Sequence, residues 1–328
     1  MADLKTTYMG ISLSSPLIVA ASTISSYIER VKMAEQAGAG ALVIRSLFEE
    51  QIQFDRLRMD EALSVGEYSY AEAASFFPKL QHGGASEHLM WVEKTRKAVR
   101  LPLIASLNAV SVSGWTGYAR QLAGTGVDGI ELNVYAVPAD MGKTGAEIEQ
   151  AMFDVVAAVR AEVQIPVAVK LSPFYTSTVN VAAELDRRGV DALVLFNRFL
   201  QPDIDPDSES LNNEMSYSTP AEMRLPLRWA ALLHGRIRAD VALTTGVHSG
   251  KDVARALLAG ATAVQTAAAL LKNGIPYLST MLRELEAWMG EHGYESVNDF
   301  RGKLSQKSAD DPYVFERAQY VNLLLSQR

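Results

Sequence analysis

No cysteine occurs anywhere in the 328 residues. That absence removes disulfides, zinc–thiolate and iron–sulfur sites and every thiol nucleophile. Positive charge is also in short supply: 31 Lys and Arg stand against 38 Asp and Glu, for a net charge of −7. With no lysine or arginine block along the chain, a nucleic-acid partner is not expected. Long apolar runs are missing too. Runs such as Leu17–Ala21 fall far short of the roughly 20 residues needed to span a bilayer, and no basic region precedes an apolar stretch near Met1. The five histidines show no metal-ligand spacing, so no metal is expected. What remains is a soluble, cytoplasmic protein whose 48% hydrophobic residues suffice for a large core.

Two kinds of apolar segment alternate along the chain. One starts at Pro16, Pro102, Pro166 or Asp240 and runs straight into a short strand; the other starts at Gly38, Gly126, Gly189 or Gly260, where glycine ends a helix and a strand follows. Between them lie stretches with apolar residues at i, i+3, i+4 and i+7, as in Val155, Val156, Val159 and Val163. Near-continuously apolar strands, each followed by a helix, imply a parallel sheet covered by helices. Eight such units predict an α/β fold of the (β/α)8 TIM-barrel type, usually about 250 residues long. The remaining length is an N-terminal β-hairpin over Lys5–Ser14, an aromatic insertion at 47–86 after the second strand, and an extension over 294–328. All belong to one domain, 1–328. A long strand-to-helix connection on such a barrel lies over its catalytic face, so 47–86 is a candidate lid, the alternative being an insertion that buttresses the barrel rim or a neighbouring subunit.

Functional side chains on this architecture sit at the C-terminal ends of strands. Those ends carry Ala20, Ala21 and Ser22; Arg45 and Ser46; Ser106 and Asn108; Glu131, Asn133 and Tyr135; Lys170 and Ser172; Asn197 and Arg198; Thr244, Thr245 and Gly246; Gln265 and Thr266. Cations, amides and hydroxyls with few carboxylates suit a planar hydrogen-bonding ligand or an anion rather than a divalent metal. Lys170 ends an apolar strand, where its ammonium can stabilise negative charge developing on a bound ring, form a Schiff base, or serve only as a rim charge. Glu131 is placed to pair with Lys170 or Arg45, or to move a proton. The run 244–252, with its glycine turn and hydroxyls before a helix, reads as an anion site.

The segments 16–22 (PLIVAAS), 40–46 (GALVIRS), 129–133 (GIELN), 167–173 (VAVKLSP), 245–252 (TGVHSGKD) and 260–266 (GATAVQT), in this order, resemble the class 1 dihydroorotate dehydrogenases. The resemblance runs over roughly residues 5–304 and extends into the last helix and tail. It implies an FMN-binding barrel acting as an oxidoreductase on CH–CH groups in pyrimidine metabolism, a homodimer, and a separate electron acceptor. By the same resemblance Lys170 approaches the flavin N1/O2 edge and Asn133 contacts flavin and substrate. Asn197 binds the substrate ring, with Arg198 and Arg45 beside it. Ala20, Ala21, Ser22, Arg45, Ser46 and Asn108 line the flavin, and Thr245, Gly246, Ala267 and Ala268 hold its phosphate.

The departures fall on the substrate side. The family's catalytic cysteine position is Ala136, in the run 131–138 (ELNVYAVP), and serine, the base of a related subclass, is absent there as well. Tyr135 stands next to it, but a phenol with an ordinary pKa of about 10 is a better acid than base at neutral pH. No counterpart of the family's Gly-Leu-Pro-Asn loop occurs at 66–83, Arg45 replaces a lysine, Arg198 replaces a small residue, and Ala267–Ala268 replace Gly-Thr. These changes imply hydride transfer between flavin and a small anionic substrate other than dihydroorotate, or much lower activity on dihydroorotate. The alternatives are a true dihydroorotate dehydrogenase with a different base and a non-catalytic barrel that binds FMN or another phosphate ligand.

Overall fold

The computed structural model describes residues 2–49, 85–134, 137–198, 202–212 and 216–315. A hairpin of β1 (Thr6–Tyr8) and β2 (Ile11–Leu13) precedes the barrel strands β3 (Leu17–Val19), β4 (Ala41–Phe48), β5 (Leu103–Asn108), β6 (Gly129–Asn133), β7 (Val167–Leu171) and β8 (Ala192–Leu195). A second hairpin, β9 (Asp203–Asp205) and β10 (Ser210–Asn212), leads to β11 (Asp240–Leu243) and β12 (Ala263–Thr266). The helices are α1 (Ile28–Gln36), α2 (Ala85–Ala98), α3 (Val112–Gly124), α4 (Gly145–Glu162), α5 (Thr178–Arg187), α6 (Arg224–Leu233), α7 (Gly250–Ala259), α8 (Ala268–Asn273) and α9 (Tyr277–Glu291). Strands β3 to β8, β11 and β12 pair in parallel and close into an eight-stranded barrel, and the N-terminal hairpin is present. The eight strands and the helices expected between them are all found. Two elements were not foreseen: the β9–β10 hairpin and the short helix α8.

Each barrel strand is buried on both faces, and its alternate residues join two different cores. Leu42, Ile44, Leu103, Ile130, Val169, Leu193 and Leu243 point outward against the helices. Ile18, Val43, Ile104, Val194 and the alanines Ala41, Ala168, Ala192, Ala242 and Ala263 point inward. So many small inward residues leave room in the barrel floor, which Tyr8, Met9 and Leu13 of the hairpin fill. Burying each such large apolar side chain stabilises the fold by about 1.5–3 kcal/mol.

Helix ends follow the sequence signals. Thr144 and Glu147 form a reciprocal capping box at the start of α4, and Gly260, at φ 110°, terminates α7 in the left-handed region. Beyond α9 the chain folds back, with the N–H of Gly302 and Leu304 donating to Leu257 and Leu258, and Trp288 packing edge-on against Phe300. Among the described residues, no helix is long and apolar enough to cross a membrane.

The floor has one polar flaw. The Tyr8 hydroxyl is buried with no hydrogen-bond partner among the described residues, and burial, with Glu131 and Asp240 nearby, pushes its pKa well above the usual phenol value. Removing an unpaired hydroxyl removes its desolvation cost, so Tyr8→Phe is expected to leave stability unchanged or raise it by up to about 1 kcal/mol in urea unfolding. A loss of stability larger than that would show that the hydroxyl is paired through an internal water.

Candidate active site at the barrel mouth

Above the apolar floor the inward positions turn polar. Register pairs Ser106 of β5 with Glu131 of β6, and Asn133 with Lys170 of β7. Gln265 Nε2 of β12 donates to Glu131 Oε2 at 2.6 Å. Strands β6 and β12 lie four places apart in the ring of eight, so this bond crosses the barrel's full width. Lys170 Nζ stands 3.7 Å from Glu131 Oε1, with side-chain exposures of 10% and 1% respectively. The expected pairing of Glu131 with a strand-end cation is therefore present, and Lys170 is the partner. The ammonium has no other partner among the described residues, so its remaining donors are available to a ligand.

One rung higher, Asn133 is held by two other strand-end amides. Asn108 Nδ2 donates to the Asn133 carbonyl at 3.0 Å, and Asn197 Nδ2 donates to Asn133 Oδ1 at 2.7 Å. Next to β5, β4 carries a bulge: Ile44 faces Ala105 and Leu47 faces Leu107, so Arg45 and Ser46 together oppose Ser106. The extra residue brings the Ser46 hydroxyl to 2.7 Å from that of Ser106 and leaves the Arg45 side chain exposed. Arg45 forms no ion pair among the described residues. His88 of α2 is buried beside it with Nε2 unpaired. Burial, reinforced by the Arg45 charge, pushes the His88 pKa down to about 4.

The turn after β11 is strained. Thr245 and Gly246 adopt φ of 74° and 78°, and Thr245 Oγ1 donates to the Phe196 carbonyl at 3.1 Å. A Cβ at residue 246 would lie 2.5 Å from the Met223 nitrogen, so only glycine lets the segment before α6 pass this closely. The following helix start is not available to an anion. Ser249 and Asp252 cap it, and the Gly250 N–H donates to Glu284 Oε2 at 2.7 Å. Of the run 244–252 expected to bind an anion, the helix start is therefore already engaged by side chains.

Residues 79–289 match the family described as dihydroorotate dehydrogenase. The chain belongs to this family of oxidoreductases. It is 29% identical over 306 residues, 91% of this chain and 97% of the relative, to the catalytic subunit of dihydroorotate dehydrogenase B (NAD(+)) of Methanothermobacter thermautotrophicus. The corresponding subunit of Thermoplasma volcanium is 26% identical over 308 residues, 92% of this chain and 98% of that one. Dihydroorotate dehydrogenase A (fumarate) of Lacticaseibacillus paracasei is 30% identical over 194 residues, 57% of this chain and 66% of the relative.

Family membership makes the placement of each expected site residue informative. Lys170, Asn133, Asn108 and Asn197 meet at the mouth, with Ser46 and Arg45 on β4, the strand paired with that of Asn108. Ala20 lies at the end of β3, where its N–H donates to the Thr266 carbonyl, and Ala21 follows it. The Ser22 hydroxyl is used locally, as the cap of the short turn Thr23–Ser26. Ala267 and Ala268 open α8 and offer backbone N–H groups only. Arg198 is engaged inside its own loop. Its Nε donates to Glu222 Oε1 at 2.8 Å, and its guanidinium also bonds Ser216. Tyr135 and Ala136, most of the 47–86 insertion, and residues 316–328 lie outside the described residues.

Several contributors were missed from sequence. Glu49, buried at the end of β4, accepts from the N–H groups of Val110 and Ser111 and so braces the start of α3 beside the mouth. The sequence marks Gln265 as a strand end and no more, because the carboxylate it holds is 134 residues away in sequence. Ser218 and Lys272 reach the strained turn from segments that carry no motif.

Proposed function

We propose that this chain is an FMN-dependent oxidoreductase that exchanges hydride between the flavin and a small anionic substrate. The observation that carries the reading is the Lys170 ammonium, buried at the mouth with Glu131 as its one partner among the described residues. That is the donor set an electron-rich ring edge requires. Asn133, oriented by Asn108 and Asn197, supplies a further amide, and the Thr245–Gly246 turn with Ala267 and Ala268 suits a phosphate. When bound, the flavin supplies the two-electron chemistry. Lys170 stabilises negative charge at the ring edge, Asn197 orients the substrate, and Arg45 meets its anionic group. With the Arg198 charge neutralised by Glu222, its part is to order the loop after β8.

The lost thiol at Ala136 and the adjacent phenol of Tyr135 favour protonation over base catalysis, which supports a substrate other than dihydroorotate. The chain is read as one domain, 1–328, and as a cytoplasmic homodimer. The relatives named as catalytic subunits support a separate electron-accepting partner.

Purified protein is expected to carry, or to take up, FMN with its visible absorption band, and small anionic donors are expected to bleach that band anaerobically. A colourless protein that takes up no FMN overturns the reading. Similarity across 91% of the chain favours a second reading, dihydroorotate itself as substrate with a different base. Orotate formation by the wild type, measured beside Ala136→Cys, decides between them.

A further inference from the structure

We propose that Ser218, His248 and Lys272 form, around the Gly246 backbone, a side-chain site for the terminal phosphate of flavin mononucleotide, by which the chain selects the phosphorylated flavin over riboflavin. The proposal rests on the flavin reading above and assigns to it residues outside the strand-end set.

Three separate segments bring these groups together. Ser218 lies buried on the extended stretch before α6, His248 on the turn after β11, and Lys272 on α8. Ser218 Oγ is 3.3 Å from His248 Nε2 and 3.4 Å from the Gly246 nitrogen. Both contacts exceed the usual 2.7–3.2 Å, as expected where two partners share one hydroxyl and a better acceptor would draw them in. Lys272 Nζ lies 3.5 Å from the Ser218 carbonyl and has no carboxylate partner among the described residues. Its charge, together with burial as the larger cause, lowers the His248 pKa.

The acidic groups that face His248 are already committed. Asp252 accepts from the His248 and Ser249 backbone and side-chain groups and pairs with Arg255 at 2.8 Å, while Glu222 pairs with Arg198 at 2.8 Å. An ammonium, an imidazole, a hydroxyl and a backbone N–H therefore surround a spot that has no anion of its own. The His248 backbone is pinned as well, its N–H by Asp252 and its carbonyl by the Tyr277 hydroxyl at 3.2 Å. Ala267 and Ala268 bring no side-chain donor, so charge and hydroxyl must come from these three residues.

The test titrates apoprotein with flavin mononucleotide and with riboflavin in parallel, following quenching of flavin fluorescence. A hydrogen bond to a charged group is worth about 1.5–3 kcal/mol, so Lys272→Met is expected to weaken flavin mononucleotide binding roughly 10- to 100-fold. Riboflavin binding should be unchanged, which also verifies the fold of the variant. Ser218→Ala should weaken flavin mononucleotide binding in the same selective way, and Lys251→Met, an exposed lysine at the start of α7, should not. Inorganic phosphate should compete with flavin mononucleotide for the wild type and much less for Lys272→Met. Equal affinity of wild type and Lys272→Met for flavin mononucleotide, or a parallel loss of riboflavin, overturns this assignment alone. Wild-type protein that binds neither flavin overturns the parent reading, and this assignment with it.

Discussion

Lys170→Met is expected to destabilise the protein far more than the loss of one mouth-facing charge would suggest. The substitution leaves Glu131 at 1% side-chain exposure with Gln265 as its one remaining partner among the described residues, deep in the barrel. Removing one member of a buried ion pair strands the other, at a cost of about 3–5 kcal/mol. For a chain of 328 residues this lowers the thermal midpoint by roughly 4–7 °C. The double variant Lys170→Met/Glu131→Gln should recover most of the loss, because the neutral amide still accepts from Gln265 Nε2. A double variant as unstable as the single one would show that the cost is packing and not uncompensated charge. If the flavin reading holds, the single variant also slows flavin reduction about 10²- to 10³-fold, the usual effect of removing one donor to developing charge. The double variant should stay slow, which separates the two roles.

Gly246→Ala is expected to damage fold and site together. A side chain at φ 78° costs about 1–2 kcal/mol in backbone strain. The added methyl would also meet the Met223 nitrogen at 2.5 Å and its Cβ at 2.9 Å. Overpacking against backbone adds about 1–3 kcal/mol. Relief requires the turn Pro220–Met223 to move outward, carrying Ser218 and the Arg198–Glu222 pair with it. A destabilisation of roughly 2–5 kcal/mol in denaturant unfolding should therefore accompany weakened anion binding. Gly117→Ala is the control, since nothing lies within 4 Å of its added methyl and it sits inside α3. There the helix gains about 0.5–1 kcal/mol. Equal effects at the two positions would refute the clash.

The barrel was legible because its strands announce themselves twice. Burial on both faces makes runs such as Val167–Leu171 apolar throughout, and a glycine such as Gly189 marks where the preceding helix must stop. Lys170 and Glu131 stood out as charges inside such runs, while Arg45 was an equal candidate for the partner of Glu131 until the fold brought Lys170 to it. What could not be read depends on distance or on exception. The Gln265 bond joins strands on opposite sides of the barrel, which no local spacing encodes. The β4 bulge shifts Ser46 against Ser106 by one added residue that leaves no compositional mark. Ile204 and Leu211 pair across the β9–β10 hairpin yet are exposed, so the alternation that marks a half-buried hairpin is absent. Lys272 is a single lysine in a six-residue helix, and its meaning comes entirely from what folds against it.

The hairpin that seats Tyr8 and Met9 in the barrel floor makes the barrel a cup and not a tube. Whatever reaches Lys170 enters over the rim and leaves the same way. On the flavin reading proposed above, a reductant and an oxidant that must touch the same ring would not approach from opposite ends; they would share one doorway and take turns, and the cycle would divide into two half-reactions.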